Sequence, residues 1–185
     1  MRMSLALELR GVGKRFVVGT AACRGSVDAL RSVDLEIEAG EAIAIVGAVG
    51  TGKSTLLLCA AALLRPDAGD IAWFGQSDRA TGSERATYYF PGGSGRSRSA
   101  TSSRAPHIHL VDGLESLSLT TVSRVEQWIE RRTGAGDAVL VAARDAHVAR
   151  DLVERIVVLR AGRLFADERG VVAARVAEPI EWGPR

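Results

Sequence analysis

Short apolar runs along the chain predict strands and helices in alternation. Apolar and polar residues alternate over residues 5–9 and again over 33–37, which is typical of strands with one buried face. Residues 42–46 are apolar at every position, as in a strand that is buried on both sides of a parallel sheet. A helix is expected over residues 53–64, ended by Pro66, and further runs follow toward the C-terminus. This alternation predicts an α/β fold with a mainly parallel sheet flanked by helices.

The pattern is interrupted once, in the middle of the chain. Residues 92–105 are almost entirely Gly, Ser, Arg, Ala and Thr, which offer little to bury. We therefore expect a flexible Gly/Ser/Arg-rich segment over residues 76–106 within a single domain that spans residues 1–185.

A glycine-rich motif stands between the buried strand at 42–46 and the helix that follows. It has the form G-x-x-x-x-G-K-[ST] of a P-loop, or Walker A motif. Glycines let the backbone curl so that its N–H groups point at phosphate oxygens, and the helix N-terminus adds positive charge. The motif predicts a site for a nucleoside triphosphate, with the lysine on the β- and γ-phosphates. The predicted nucleotide-binding residues are Gly47, Gly50, Thr51, Gly52, Lys53, Ser54 and Thr55.

A nucleotide bound with Mg²⁺ also needs metal ligands from the protein. The Ser54 hydroxyl is one candidate, and Asp112, which follows the predicted strand over residues 107–111, is the other. The alternative for Asp112 is a helix cap or a turn residue. His107 and His109 fall on one face of the same predicted strand, as a metal-binding pair would, but no third ligand accompanies them, which favours strand-edge histidines.

Several segments resemble the ATP-binding subunit of ABC transporters. Residues 29–75, from ALRSVDLEIEAGE through GKSTLL to LLRPDAGDI, are similar to that family almost throughout, and residues 155–164 are similar to its closing strands. The resemblance implies a P-loop NTPase sandwich with an N-terminal antiparallel β lobe, truncated relative to a full ABC ATPase. It also implies that ATP and Mg²⁺ bind, with Phe16 placed against the adenine.

The residues that the family uses for hydrolysis are replaced in this chain. Gly113 follows Asp112 where the family has a glutamate, and Arg144 stands where it has a histidine. Glu115 and Arg144 are therefore only weak catalytic candidates. Ser54 and Asp112 are closer in sequence than the family's layout requires, so most of the helical subdomain with its signature motif is missing. Pro91 stands in the place of the Q-loop glutamine, unless Gly92 and Gly93 are instead a remnant of the signature.

Composition narrows the functional classes. A net charge of +2 gives no argument for nucleic acid, and the longest strongly apolar run, residues 56–64, is too short to cross a bilayer. We expect an ATP-binding subunit with weak or partner-dependent hydrolysis. Its partner would be a second ATP-binding subunit or a transmembrane subunit, so that the protein is cytoplasmic and reaches the inner face of the cell membrane only through that partner. A non-hydrolysing nucleotide sensor or scaffold, and a P-loop kinase or phosphotransferase, are the alternatives.

Overall fold

The computed structural model describes residues 4–20, 23–89, 106–113, 119–144 and 146–169. In chain order the elements are β1 (Leu5–Thr20), β2 (Cys23–Glu38), β3 (Ala42–Val46), α1 (Lys53–Ala60), β4 (Ala68–Trp73), α2 (Arg79–Arg85), β5 (Ala86–Tyr89), β6 (Ile108–Val111), α3 (Leu119–Gly134), β7 (Ala138–Ala143), α4 (Ala146–Arg150), β8 (Arg155–Arg160) and β9 (Arg163–Arg169). None of the helices in these ranges is long and apolar enough to cross a membrane.

The larger sheet has six strands in the order β5-β6-β7-β3-β8-β9. The pairs from β5 to β8 are parallel, and only β9 is antiparallel to its neighbour. In this register Val46 pairs with Ala143, and Val111 pairs with Val141. The carboxyl ends of β3, β7 and β6 therefore meet at one edge of the sheet, where loops that carry functional residues gather in α/β folds.

The smaller sheet is antiparallel, with the order β2-β1-β4. Its strands β1 and β2 form a long hairpin, with pairs from Leu5–Glu38 to Thr20–Cys23. The sequence pattern predicted only the part of each strand that faces the core. The outer part of the hairpin has no buried face, and Val17 there is 75% exposed. A strand without a buried face does not need alternating apolar and polar residues, so the sequence pattern did not predict this part. The fold is nevertheless the predicted one: a mainly parallel sheet flanked by helices, with an N-terminal antiparallel lobe.

Two hydrophobic cores cover the two faces of the parallel sheet. On one face Ile43 and Ile45 pack with Leu56 and Leu57 of α1 and with the antiparallel sheet. On the other face alternate residues of β3 pack with α3 and α4. Every residue of β3 is therefore in contact with a core, which explains why this strand is apolar at each position.

A buried arginine joins the two sheets. The Arg155 guanidinium donates hydrogen bonds to both carboxylate oxygens of Asp167, at 2.7 and 2.6 Å, and to Glu41 Oε1 at 2.9 Å. It also donates to the backbone oxygen of Glu36 in β2 at 2.8 Å. With only 6% of its side chain exposed, Arg155 depends on these partners to compensate its lost hydration.

Two features depart from the predicted elements. Helix α1 ends at Ala60 rather than at residue 64, because the chain turns at Ala62, whose φ is +56°, and the indole nitrogen of Trp73 donates to the Ala60 carbonyl at 2.7 Å. Within the segment predicted to be flexible, residues 79–85 form α2 and residues 86–89 form β5, so that prediction does not hold there. Residues 90–105 lie outside the described residues.

Candidate functional site

The P-loop connects β3 to α1 and depends on its glycines. Gly50 and Gly52 have φ values of +83° and +105°, in the left-handed region that favours glycine. A Cβ atom on Gly52 would collide with the Ala29 carbonyl, and one on Gly47 with the Leu159 carbonyl. The loop is therefore packed against β2 and β8 so closely that only glycine fits at these two positions.

The lysine of the motif lies inside the loop. Lys53 is 9% exposed, and its Nζ donates hydrogen bonds to the carbonyl oxygens of Gly47 and Ala48 at 2.5 and 3.0 Å. The Thr51 hydroxyl also donates to the Ala48 carbonyl, at 2.9 Å. The loop thus holds a positive charge at its centre.

The N-terminus of α1 suits an anion. Gly52 is the N-cap residue and provides no side-chain cap, and the first turn contains no acidic residue. The amide groups of that turn therefore have no capping side chain to accept their hydrogen bonds, and the helix dipole adds positive charge. Ser54 is exposed in this turn, so its hydroxyl is accessible to a ligand of the loop.

Asp112 directly follows β6 at the same edge of the sheet. It is 6% exposed, and its Oδ2 atom accepts a hydrogen bond of 2.8 Å from the Tyr88 hydroxyl. Burial, together with this bond to a carboxylate, raises the pKa of the Tyr88 phenol, which therefore stays protonated and donates. A buried carboxylate after β6 and an accessible serine hydroxyl in the first turn of α1, at the same edge of the sheet, form a donor set that fits Mg²⁺, which takes few protein ligands and keeps several waters.

Tyr88 is not among the site residues predicted from the sequence. The run Thr87-Tyr88-Tyr89 is β-branched and aromatic, a composition that favours a strand. It lies next to the Gly/Ser/Arg-rich residues, and for that reason it was included in the segment predicted to be flexible.

Of the two weak catalytic candidates, only Arg144 is among the residues that the structure describes. Arg144 is exposed directly after β7, and since Ala143 pairs with Val46, it follows the strand end beside the P-loop. Glu115 lies outside the described residues. Gly113, which directly follows Asp112, has a φ of +83°. The backbone at this position therefore adopts a conformation that a glutamate would rarely take.

Phe16 lies on the hairpin, 38% exposed, with the Lys14 ammonium 5.7 Å from its ring centroid. The hairpin is fixed to the P-loop through the turn between β8 and β9. The Arg31 N–H donates to the Gly162 carbonyl at 2.7 Å, and the Gly162 N–H donates to the Thr51 carbonyl at 3.0 Å. Since Lys14 pairs with Leu30, next to the Ala29 that contacts Gly52, Phe16 lies a short distance along the strand from the P-loop.

His109 is an interior residue of the sheet, whereas His107 precedes β6 and is half-buried. Strand β6 is flanked by β5 and β7, and His109 is 4% exposed, with Nε2 3.0 Å from Asp137 Oδ2 and Nδ1 3.3 Å from the Tyr89 hydroxyl. Burial lowers the pKa of the His109 imidazole, which favours the neutral ring. No group of three or more His, Cys, Asp or Glu residues in the described ranges could hold a metal ion. His109 is therefore a core residue with hydrogen-bond partners.

Solved structures of known proteins share this fold. The dimeric ATP-binding cassette MJ0796 in a post-hydrolysis state bound to ADP and Pi aligns with a TM-score of 0.69 at 20% identity, over 90% of this chain and 99% of that one. A nucleotide-free ATP-binding cassette from an ABC transporter aligns with a TM-score of 0.70 at 14% identity, over 90% of this chain and 92% of that one.

Curated relatives match over shorter segments. The aliphatic sulfonates import ATP-binding protein SsuB of Rhodopseudomonas palustris is 43% identical over 88 residues, which are 48% of this chain and 28% of the relative. The lipoprotein-releasing system ATP-binding protein LolD of Ruegeria pomeroyi is 42% identical over 81 residues, which are 44% of this chain and 34% of the relative. The macrolide export ATP-binding/permease protein MacB of Nitrosomonas europaea is 40% identical over 82 residues, which are 44% of this chain and 12% of the relative. The match thus spans about a third or less of each of these proteins.

The family model for ABC transporters matches residues 30–131, which is more than half of the chain. This range begins in β2 and includes the P-loop, Asp112 and most of α3. The chain therefore belongs to the ABC transporter family, as a domain of its ATPase type.

Proposed function

We propose that this chain binds ATP with Mg²⁺ as the ATP-binding subunit of an ABC transporter. The observation that carries the proposal is the position of the Lys53 ammonium, inside a glycine-shaped loop at an uncapped helix N-terminus. Asp112 lies at the same edge of the sheet. The names of the relatives support it, since they are ATP-binding proteins of import and export systems. One structural neighbour is bound to ADP and Pi.

Each part of the site has a role in this proposal. Amide groups of the loop and of the first turn of α1 bind the phosphates, and Lys53 exchanges its carbonyl partners for phosphate oxygens. Ser54 and Asp112 hold the metal ion, Asp112 through the water shell. Mg²⁺, when bound, neutralises charge on the β- and γ-phosphates. Phe16 stacks on the base from the hairpin.

Hydrolysis is weak or depends on a partner. Phosphoryl transfer relies on positioning and on electrostatic stabilisation, and this chain lacks the family's water-orienting glutamate and its switch histidine. Gly113 and Arg144 replace them, and the guanidinium of Arg144 supplies charge without the histidine's acid–base chemistry.

A second candidate function uses the same nucleotide site. A chain that binds ATP but turns it over negligibly with any partner would be a nucleotide sensor or scaffold. Its occupied site would then stabilise a surface that another protein recognises. The conformation of Gly113 favours this candidate, because the backbone there departs from what a glutamate requires.

The proposed partner is a second ATP-binding subunit or a transmembrane subunit. A dimeric ATP-binding cassette among the neighbours supports the first, and the ATP-binding/permease relatives support the second. We place the protein at the inner face of the cell membrane, through that partner.

Isothermal titration with ATP and Mg²⁺ tests the binding. Lys53→Ala should abolish detectable affinity, because it removes the charge at the centre of the loop. Arg10→Ala removes one positive charge from an exposed strand position and should leave affinity unchanged. Retained affinity in Lys53→Ala would refute the P-loop assignment. Steady-state hydrolysis of the same samples separates the two candidate functions: turnover that appears when a partner is added identifies a transporter ATPase.

A further inference from the structure

One neighbouring strand, β5, holds both the backbone and the side chain of Asp112. Its backbone N–H donates to the Tyr89 carbonyl at 2.9 Å, and its Oδ2 atom accepts from the Tyr88 hydroxyl at 2.8 Å. Both tyrosines belong to β5, which pairs in parallel with β6 so that Tyr88 lies beside Leu110. The backbone and the side chain of Asp112 are thus both attached to the same neighbouring strand.

These attachments leave one carboxylate oxygen for a ligand. Within the described ranges, Asp112 forms no ion pair, and the Tyr88 hydroxyl is the one side-chain donor to its carboxylate, at Oδ2. Among these residues no hydrogen bond to the Oδ1 atom of Asp112 is found, so this oxygen is left for a ligand.

A buried carboxylate without a fixed partner would rotate or be poorly solvated. Hydrogen bonds to a charged acceptor are stronger than those between neutral groups, so a single phenolic donor is enough to select one rotamer. With Oδ2 held by Tyr88, the remaining oxygen is the one that a water molecule of a metal shell would contact.

We infer that Tyr88 is a positioning residue for the metal site: its hydroxyl holds Asp112 so that Oδ1 faces bound Mg²⁺. The inference rests on the proposed function, since it requires that Asp112 serve a metal bound with the nucleotide. It assigns a role to the segment predicted to be flexible, because β5 supplies this contact.

The test compares ATP affinity in excess Mg²⁺ with ATP affinity in EDTA, by isothermal titration. Tyr88→Phe removes only the hydroxyl and should weaken binding in Mg²⁺ by about 10- to 150-fold, which is the range expected for a hydrogen bond to a charged group. Binding in EDTA should not change. Tyr89→Phe is the matched control: it removes the neighbouring hydroxyl, which lies 3.3 Å from His109 Nδ1, and should change neither value.

A double-mutant cycle with Asp112→Asn completes the design. Once Asp112 has lost its charge, adding Tyr88→Phe should cause no further loss in Mg²⁺. A loss of equal size in Mg²⁺ and in EDTA would show that Tyr88 only supports the fold, and would overturn the inference. An unchanged or higher affinity of Tyr88→Phe in Mg²⁺ would also overturn it, while leaving the proposed function intact. If the unaltered protein does not bind ATP, the proposed function fails and the role of Tyr88 fails with it.

Discussion

Replacing Gly113 by glutamate tests whether this site lacks only one side chain. The φ of Gly113 is +83°, and a residue with a Cβ in the left-handed region costs about 1–2 kcal/mol. Part of this cost is offset, because replacing glycine reduces the conformational entropy of the unfolded chain by about 0.4–1 kcal/mol. The net loss is about 1 kcal/mol, which corresponds to a melting temperature lower by about 2–4 °C in a chain of this size.

Thermal unfolding and steady-state ATP hydrolysis should be measured on three variants. Gly113→Ala carries the same backbone strain without a carboxylate, and Gly113→Asn carries a side chain that tolerates this conformation better. We expect Glu and Ala to lower the melting temperature alike, Asn to lower it less, and none to increase hydrolysis. If Gly113→Ala is as stable as the unaltered protein, the argument from strain is wrong. A rise in turnover of about tenfold or more in Gly113→Glu would refute the view that further groups are missing.

Three other changes test separate parts of the structure. Arg155→Ala should lower the free energy of unfolding, measured by urea denaturation, by about 3 kcal/mol. This value is at the low end of the range for breaking a buried ion pair, because the partner carboxylate, Asp167 in β9, is 44% exposed. Arg10→Ala, at an exposed pair, should cost less than about 1 kcal/mol, and equal losses would contradict this assignment. Stability should fall as the pH drops below 6.5, because burial lowers the pKa of His109 in the folded state and the unfolded chain binds the proton more readily. The pH dependence should flatten in His109→Asn; if it is unchanged, other groups cause it. Phe16→Ala should weaken ATP binding about 5-fold or more by loss of stacking, whereas Val17→Ala should not, and similar losses would argue against a base contact.

The elements predicted correctly from sequence are those whose signal is local. Strand β3, the P-loop and the start of α1 are specified by neighbouring residues: apolar side chains on both faces, glycines in the turn, then Lys53 at the helix start. The position of Asp112 at the same edge followed from parallel strands whose carboxyl ends align.

The features that were missed depend on contacts between distant residues. Strand β5 exists because it pairs with β6, about twenty residues later, and its aromatic residues were obscured by the Gly/Ser/Arg-rich composition beside them. The core position of His109 depends on Asp137, at a sequence separation of 28. The early end of α1 depends on Trp73, which bonds the last carbonyl of the helix. No short window of sequence contains both partners of any of these contacts.

The backbone contact between the P-loop and Gly162 has a consequence for how the protein matures. The loop at Thr51 is supported by an amide that is synthesised more than a hundred residues later, in the turn that joins β8 to β9. During translation the motif emerges before this turn does, so it lacks this support until β8 and β9 have also left the ribosome and packed. ATP binding would then require that folding is complete. Because the nucleotide would bind only the folded form, it would shift the folding equilibrium toward that form.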